Sequence, residues 1–223
     1  MTELDRGPTR RAGRRKVEVL EAACRVIAER GADATRFADV AEESGVPIST
    51  LQYYFGSRED LLVAAFRHAS DSEIASLTAE LAGLEDPWER LARIVARALA
   101  GYQATSAGSG RLWIESWHFG IRDAEMRADA LRDYAAWRGL VAEAVRLGLA
   151  SGRFAAHLAP ERIAVLTIAL LDGVGVPLAL GDPQVTEAGA IKDVLSALDQ
   201  LLRPQAAAPG VRDQAGQAAG APR

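Results

Sequence analysis

The stretch "ATRFADVAEESGVPISTLQYYF" occupies residues 34–55, and its apolar positions recur at helical intervals on either side of Ser44-Gly45. Phe37, Val40 and Ala41 make the inner stripe of a short helix that Thr35 is expected to cap. Pro47 fits at or near the start of the next helix, where its missing N–H costs little. Leu51 and Phe55 then point inward one turn apart, and Ile48, Ser49, Gln52 and Tyr53 fall largely on other faces. Two short helices joined by a glycine-containing turn outline a helix-turn-helix, and the polar and aromatic set is what its second helix presents to a DNA major groove.

The same periodicity extends outward in both directions. Val17, Leu20, Cys24 and Ile27 form one stripe that Gly31 ends, and Cys24 within it reads as a core thiol. After Gly56, Ser57 and Asp60 have the spacing of a capping box that opens a helix through Leu61, Leu62 and Phe66. Further helices are expected at about 87 to 105, 110 to 119, 123 to 151, 160 to 180 and 186 to 203, with breaks at "TSAGSG", "SGRF" and "GDP". No segment alternates with period two, so the fold class is all-α. The expected organisation is a basic disordered arm (1–15), a helix-turn-helix domain (16–66), a larger helical domain (67–203) and a disordered Pro- and Gly-rich tail (204–223).

Charge and composition narrow the function. The formal net charge is −4, yet residues 1–16 carry six basic side chains against two acidic ones. Distribution matters more than the total for a nucleic-acid partner, so the arm is a candidate phosphate or minor-groove contact. A single cysteine excludes an internal disulfide and gives no zinc spacing. His68, His118 and His157 stand apart, and "GVGVPLALG" has neither the third glycine nor the preceding strand of a dinucleotide fingerprint. No metal site, cofactor or enzymatic activity is therefore expected. The chain has no evident secretory signal and no uninterrupted run of about eighteen apolar residues, so a cytoplasmic location is expected.

Residues 17–66 resemble the DNA-binding domain of the tetracycline-repressor-like (TetR) family. The matching features are the helix ending at Gly31, the quoted helix-turn-helix, and "GSREDLL" opening the next helix. The remainder is more loosely similar to the choline-sensing BetI type, chiefly through "DYAAWRGLVAEAVRLGLASGRF" and "ALLDGVGVPLALG". The resemblance implies a ligand-responsive regulator, usually a repressor, that binds a palindromic operator as a dimer and is released by a small molecule. It also implies DNA contacts at Arg36, Ser49, Thr50, Tyr53, Tyr54 and Arg58, with Tyr54 equally eligible for the core. The family commonly has tyrosine where this chain has Gln52. Glutamine can bond bidentately to adenine, and Ile48 can touch a thymine methyl, so these two are the expected base readers.

For the effector, Tyr102, Trp113, Trp117, His118, Tyr134 and Trp137 concentrate aromatic surface in the larger domain, which favours a hydrophobic or amphipathic molecule. Asp172 interrupts "IALLDGVG" and needs a partner if buried, either a cationic ligand, an arginine or a group across a dimer. The 160–180 helix is apolar nearly all round, with Leu166, Leu170 and Val174 on one stripe, and the last helix adds Val194, Leu195, Leu198, Leu201 and Leu202. These two helices are the expected homodimer surface. Two alternatives stay open at this point: a ligand-binding or protein-interaction module without specific DNA binding, and an enzyme.

Overall fold

A computed structural model of the chain describes residues 8–100, 102 and 109–203. Among these the secondary structure is helical, in the order α1 (Pro8–Arg30), α2 (Phe37–Ser44), α3 (Ile48–Phe55), α4 (Arg58–Ala82), α5 (Pro87–Leu99), α6 (Ser109–Gly120), α7 (Ala124–Ala150), α8 (Pro160–Leu180) and α9 (Glu187–Leu202). The 204–223 tail and residues 1–7 of the arm lie outside the described residues. From Pro8 onward the supposed arm is helical and continuous with α1, a correction with a simple cause. Proline suits the first helical turn, and the arginines that follow are good helix formers.

The first three helices fold around the start of α4. Val19, Ile27, Val40, Leu51, Phe55, Leu61 and Leu62 are buried together. Glycines with positive φ end the helices where the sequence indicated: Gly31 at φ 81°, Gly45 at 67° and Gly56 at 73°. The Ser57–Asp60 capping box forms, with the Ser57 hydroxyl accepting from the Asp60 amide at 3.0 Å and the Asp60 carboxylate accepting from the Ser57 amide at 3.3 Å. Thr35 does not cap α2. It is fully buried, and its hydroxyl donates to the Gly31 carbonyl at 2.8 Å, while Arg36 takes the capping position and its amide donates to Asp39 at 2.9 Å. Cys24 is a core thiol: burial, chiefly, pushes its pKa up to about 12, and it donates to the Ala65 carbonyl.

The larger domain packs α5, α7, α8 and α9 around Leu91, Ile94, Leu99, Val141, Val145, Ile163 and Leu198. α4 runs as one 25-residue helix from the first core into this domain, and Leu112 of α6 and Met126 of α7 are buried in the first core. The two units therefore share packing. α5 stops at Leu99, earlier than the expected 105, because Ala100 turns extended ahead of a glycine- and serine-rich run poor in helix formers.

α8 is long and apolar enough, by length and composition, to cross a membrane, since Asp172 is the only charge between Ile163 and Leu180. Here it is a core helix. Ile163, Ala164, Thr167, Ile168, Leu171, Gly175 and Leu178 are buried, and its closest partner is α7. Its opposite side leaves Ala169, Leu170, Gly173, Val176 and Leu180 exposed. The α9 residues expected at a subunit interface fare differently. Val194, Leu198 and Leu202 are consumed by the core of their own subunit, because α9 must cover α5 as well as α8.

Close packing against a glycine is tightest at Gly148. A Cβ on Gly148 of α7 would lie 1.9 Å from the Phe154 ring, and that ring meets Trp88 edge-on at 6.3 Å. Gly148→Ala is expected to destabilise the fold by about 1–3 kcal/mol, seen as a lower midpoint in thermal or urea unfolding followed by circular dichroism.

Candidate DNA interface and ligand cavity

The exposed side of α3 has the chemistry of a groove reader. Leu51 and Phe55 are buried and fix the helix to its domain. Ile48, Ser49, Gln52 and Tyr53 are exposed on one contiguous surface, and Tyr53 is 86% accessible, unusual for a tyrosine without a partner to meet. Thr50 is half-buried, and Tyr54 is half-buried against the domain core with its ring edge-on to Phe55 at 6.1 Å. Arg36 is exposed at the N-terminus of α2. On the neighbouring α1, Arg14 and Arg15 are exposed and the Lys16 ammonium lies 5.3 Å from the centroid of the Phe55 ring. Lys16 thus places a positive charge at the C-terminal end of α3.

Arg58 departs from its expected role. Its Nε donates to the Thr35 carbonyl at 2.6 Å, and one terminal nitrogen donates to the Ala32 and Asp33 carbonyls at 2.5 and 2.9 Å. The other terminal nitrogen pairs with Glu59 at 3.1 Å. A guanidinium engaged on every nitrogen has little left for a phosphate. Arg58 instead gathers the carbonyls of the α1–α2 turn, where a cation is also favoured by the C-terminal end of the α1 dipole.

In the larger domain, side chains from α4, α5, α6, α7 and α8 line one cavity. Tyr102, Trp113, Tyr134, Trp137 and Asp172 all line it. The Trp113 and Tyr134 rings are tilted with centroids 5.2 Å apart, and the Tyr134 hydroxyl donates to the Asp172 carboxylate at 2.8 Å. Tyr102 is buried because two glycines admit its ring: a Cβ on Gly110 would lie 2.5 Å from it, and one on Gly175 2.9 Å. Two expected residues are not in the lining. Trp117 stacks behind Tyr134, with an interplanar angle of 5° and centroids 6.2 Å apart. His118 points at the DNA-binding unit, its Nε2 3.6 Å from Asp33.

The cavity also holds charges that the sequence reading missed. Its walls include Arg67 and Arg97 against Glu73, Asp129, Asp133 and Asp172, two cations against four carboxylates. Both arginines are already matched. Arg67 forks onto Asp129 at 2.8 and 3.0 Å and reaches Glu125 at 3.1 Å. Arg97 forks onto Glu73 at 2.9 and 3.0 Å and reaches Glu80 at 3.1 Å. Burial pushes the Asp172 carboxyl above its ordinary range, although hydrogen bonds from Tyr134 and Trp113 and the charge of Arg138 pull it down. Burial likewise raises Asp133, with the Asp129 and Asp71 charges adding to it against a Ser70 hydrogen bond and Arg132. Arg138, whose guanidinium lies 5.1 Å from the centroid of the Tyr134 ring, acts on Asp172 from outside the lining, so no cation among the described lining residues is paired with that desolvated carboxylate beside aromatic rings. That combination suits an organic cation, which gains from ring faces and counter-charge together.

Three kinds of similarity bear on this architecture. Residues 19–65 match the family model described as bacterial regulatory proteins, tetR family, and residues 87–203 match that of the BetI-type transcriptional repressor, C-terminal. The chain is 30% identical over 192 residues to the HTH-type transcriptional regulator BetI of Burkholderia cenocepacia (strain HI2424), covering 84% of this chain and 94% of the relative. A putative TetR-family transcriptional regulator from Rhodococcus sp. superposes with a TM-score of 0.71 at 26% identity, over 85% of this chain and 99% of that one. A putative transcriptional regulator from Saccharomonospora viridis, in complex with choline, superposes with a TM-score of 0.76 at 24% identity, over 85% and 98%.

Proposed function

The chain belongs to the TetR family of transcriptional regulators, with a BetI-type C-terminal domain, and from that premise we propose that its effector is a small organic cation of the quaternary ammonium class. The observation that carries the proposal is Asp172 with Tyr134 and Trp113, a half-buried carboxylate faced by aromatic rings in a cavity whose arginines are already paired. A trialkylammonium head has the apolar periphery for the rings and the charge for the carboxylate. The amphipathic effector expected from the sequence thereby acquires a sign. The choline bound by the Saccharomonospora viridis protein makes choline the first probe.

The regulator acts in the cytoplasm as a homodimer joined mainly through α8. Ala169, Gly173, Val176 and Leu180 recur every three or four residues on its exposed side, with Leu170 beside them, and the small residues Ala169 and Gly173 let a second α8 approach closely. A dimer presents two α3 helices to successive major grooves, which explains a palindromic operator. The effector favours a conformer whose α3 spacing no longer suits that operator, so effector and operator weaken each other by the same factor.

Within each half-site, Gln52 and Ile48 read bases, while Ser49, Thr50, Tyr53 and Arg36 hold the backbone and Tyr54 supports the helix from its half-buried position. Gln52→Ala is expected to relax preference at one base pair per half-site by about 1–3 kcal/mol. In vitro selection of operator sequences with wild type and variant checks this; an unchanged motif removes Gln52 from base readout. Selection by the wild type tests the DNA-binding reading itself, since a palindrome must emerge.

A further inference from the structure

α6 builds the cavity wall and also touches the DNA-binding unit. Trp113 lines the cavity. Two residues further along the same helix, the Glu115 carboxylate accepts a hydrogen bond from the backbone amide of Ala32 at 3.0 Å. Ala32 is fully buried and follows Gly31, the left-handed residue that ends α1. Its amide lies beyond the helix ladder and needs a partner. Glu115 also covers Gly31, with one carboxylate oxygen 3.5 Å from where a Cβ would stand. Arg58 holds the carbonyls of Ala32, Asp33 and Thr35 from the other side, and Arg36 then opens α2.

We infer that Glu115 is a positioning residue through which α6 transmits the state of the cavity to the helix-turn-helix, by its hold on the α1–α2 turn. The inference rests on the proposed effector cavity for its input, and it assigns the output to a named contact. The turn is six residues long, Gly31 to Arg36, clamped by α4 through Arg58 and by α6 through Glu115. Both clamping helices line the cavity, but on α6 the lining Trp113 stands two residues from its clamp, whereas on α4 the first lining residue, Phe66, stands eight residues from Arg58. A displacement of Trp113 by a ligand therefore moves the carboxylate that holds Ala32, while Arg58 keeps the turn attached to α4. The turn must follow one helix or the other, and α2 follows the turn.

Coupling is reciprocal, so it can be read from the DNA side without an effector. A palindromic duplex obtained by selection with this protein is titrated into variants in which Trp88 and Trp137 are phenylalanine, leaving emission from Trp113 and Trp117 of α6. DNA anisotropy gives binding, and tryptophan emission gives the response of α6. In the parent and in Glu115→Gln, which keeps an acceptor for the Ala32 amide, operator binding is expected to change the emission. In Glu115→Ala the operator still binds and the change is lost. A second arm uses choline, whose effect on operator affinity in the otherwise wild-type protein is expected to shrink at least about fivefold in Glu115→Ala, with choline affinity in the absence of DNA unchanged. An emission change in Glu115→Ala equal to that of the parent, or none in the parent, overturns the inference. Failure of choline to bind the wild-type protein counts against the effector class alone, because the DNA arm does not depend on it.

Discussion

Leu170→Arg is expected to convert the protein to a monomer and to lower its affinity for a palindromic operator by about 10²–10⁴-fold, the advantage that joining two half-site contacts confers. Leu170 is exposed in the subunit and contributes little to its core, so the variant should retain its helical circular dichroism and unfold near the parental midpoint. Placing a guanidinium against its symmetry mate at the centre of an apolar helix pair is a different matter, since neither charge would find a partner there. Light scattering after size exclusion gives the mass, and anisotropy with a full palindrome and with a single half-site gives the two affinities. The half-site affinity should be nearly unchanged. If the variant remains dimeric, the interface lies elsewhere and α8 is exposed for another reason.

Asp172→Asn is expected to weaken choline binding by about 10–100-fold, the usual worth of a charge-assisted contact removed from a partly buried site. Stability should move the other way or stay level. Burial raises the Asp172 pKa in the folded protein, so the folded state holds its proton more tightly than the unfolded state does. This group therefore favours folding below its ordinary pKa and loses that contribution as pH rises through the raised value. Asparagine removes the ionisation cost at neutral pH and still offers an oxygen to the Tyr134 hydroxyl. Choline binding in the wild type has the opposite pH dependence. A cation needs the ionised carboxylate, so affinity should fall on acidification, beginning at a higher pH than an ordinary aspartate would give. Isothermal titration at several pH values measures this in wild type and variant, and Asp172→Asn should flatten the slope. Equal affinity for the two proteins at neutral pH would remove Asp172 from the effector site.

The DNA-binding half was legible because its signals are local. Gly31, Gly45 and Gly56 punctuate helices whose inward positions are set by spacing alone, and all three adopt the positive φ that favours glycine. Arg58 shows where locality fails. It stands at the start of a helix, as an anion-binding arginine would, but the fold brings three carbonyls from some 25 residues upstream within its reach. The ligand cavity was only half legible for the same reason. Trp113 and Trp117 are one turn apart on α6, yet only the first lines the cavity, while the second lies parallel to the ring of Tyr134 of α7. Asp129 and Asp133 look like a solvated charged face in "EMRADALRDYAAWR". They are buried because α4 lies across that face and supplies Arg67. A carboxylate's environment depends on which helix covers it, and helix packing is not written in spacing.

The proposed positive charge of the effector also rests on tertiary structure. Aromatic residues in sequence suggest an apolar ligand; the same residues around a raised-pKa aspartate, with both cavity arginines already paired, suggest a cation. Choline and its neutral carbon isostere, dimethylbutanol, have nearly the same shape and differ in charge. Operator affinity of the wild-type protein measured by anisotropy, with each compound at increasing concentration, separates shape from sign in one experiment. Choline should weaken operator binding in a saturable way, and dimethylbutanol should require at least about tenfold higher concentration, the loss of a cation–π and carboxylate contact. Equal potency of the two, or no effect of choline at saturation, would contradict the account.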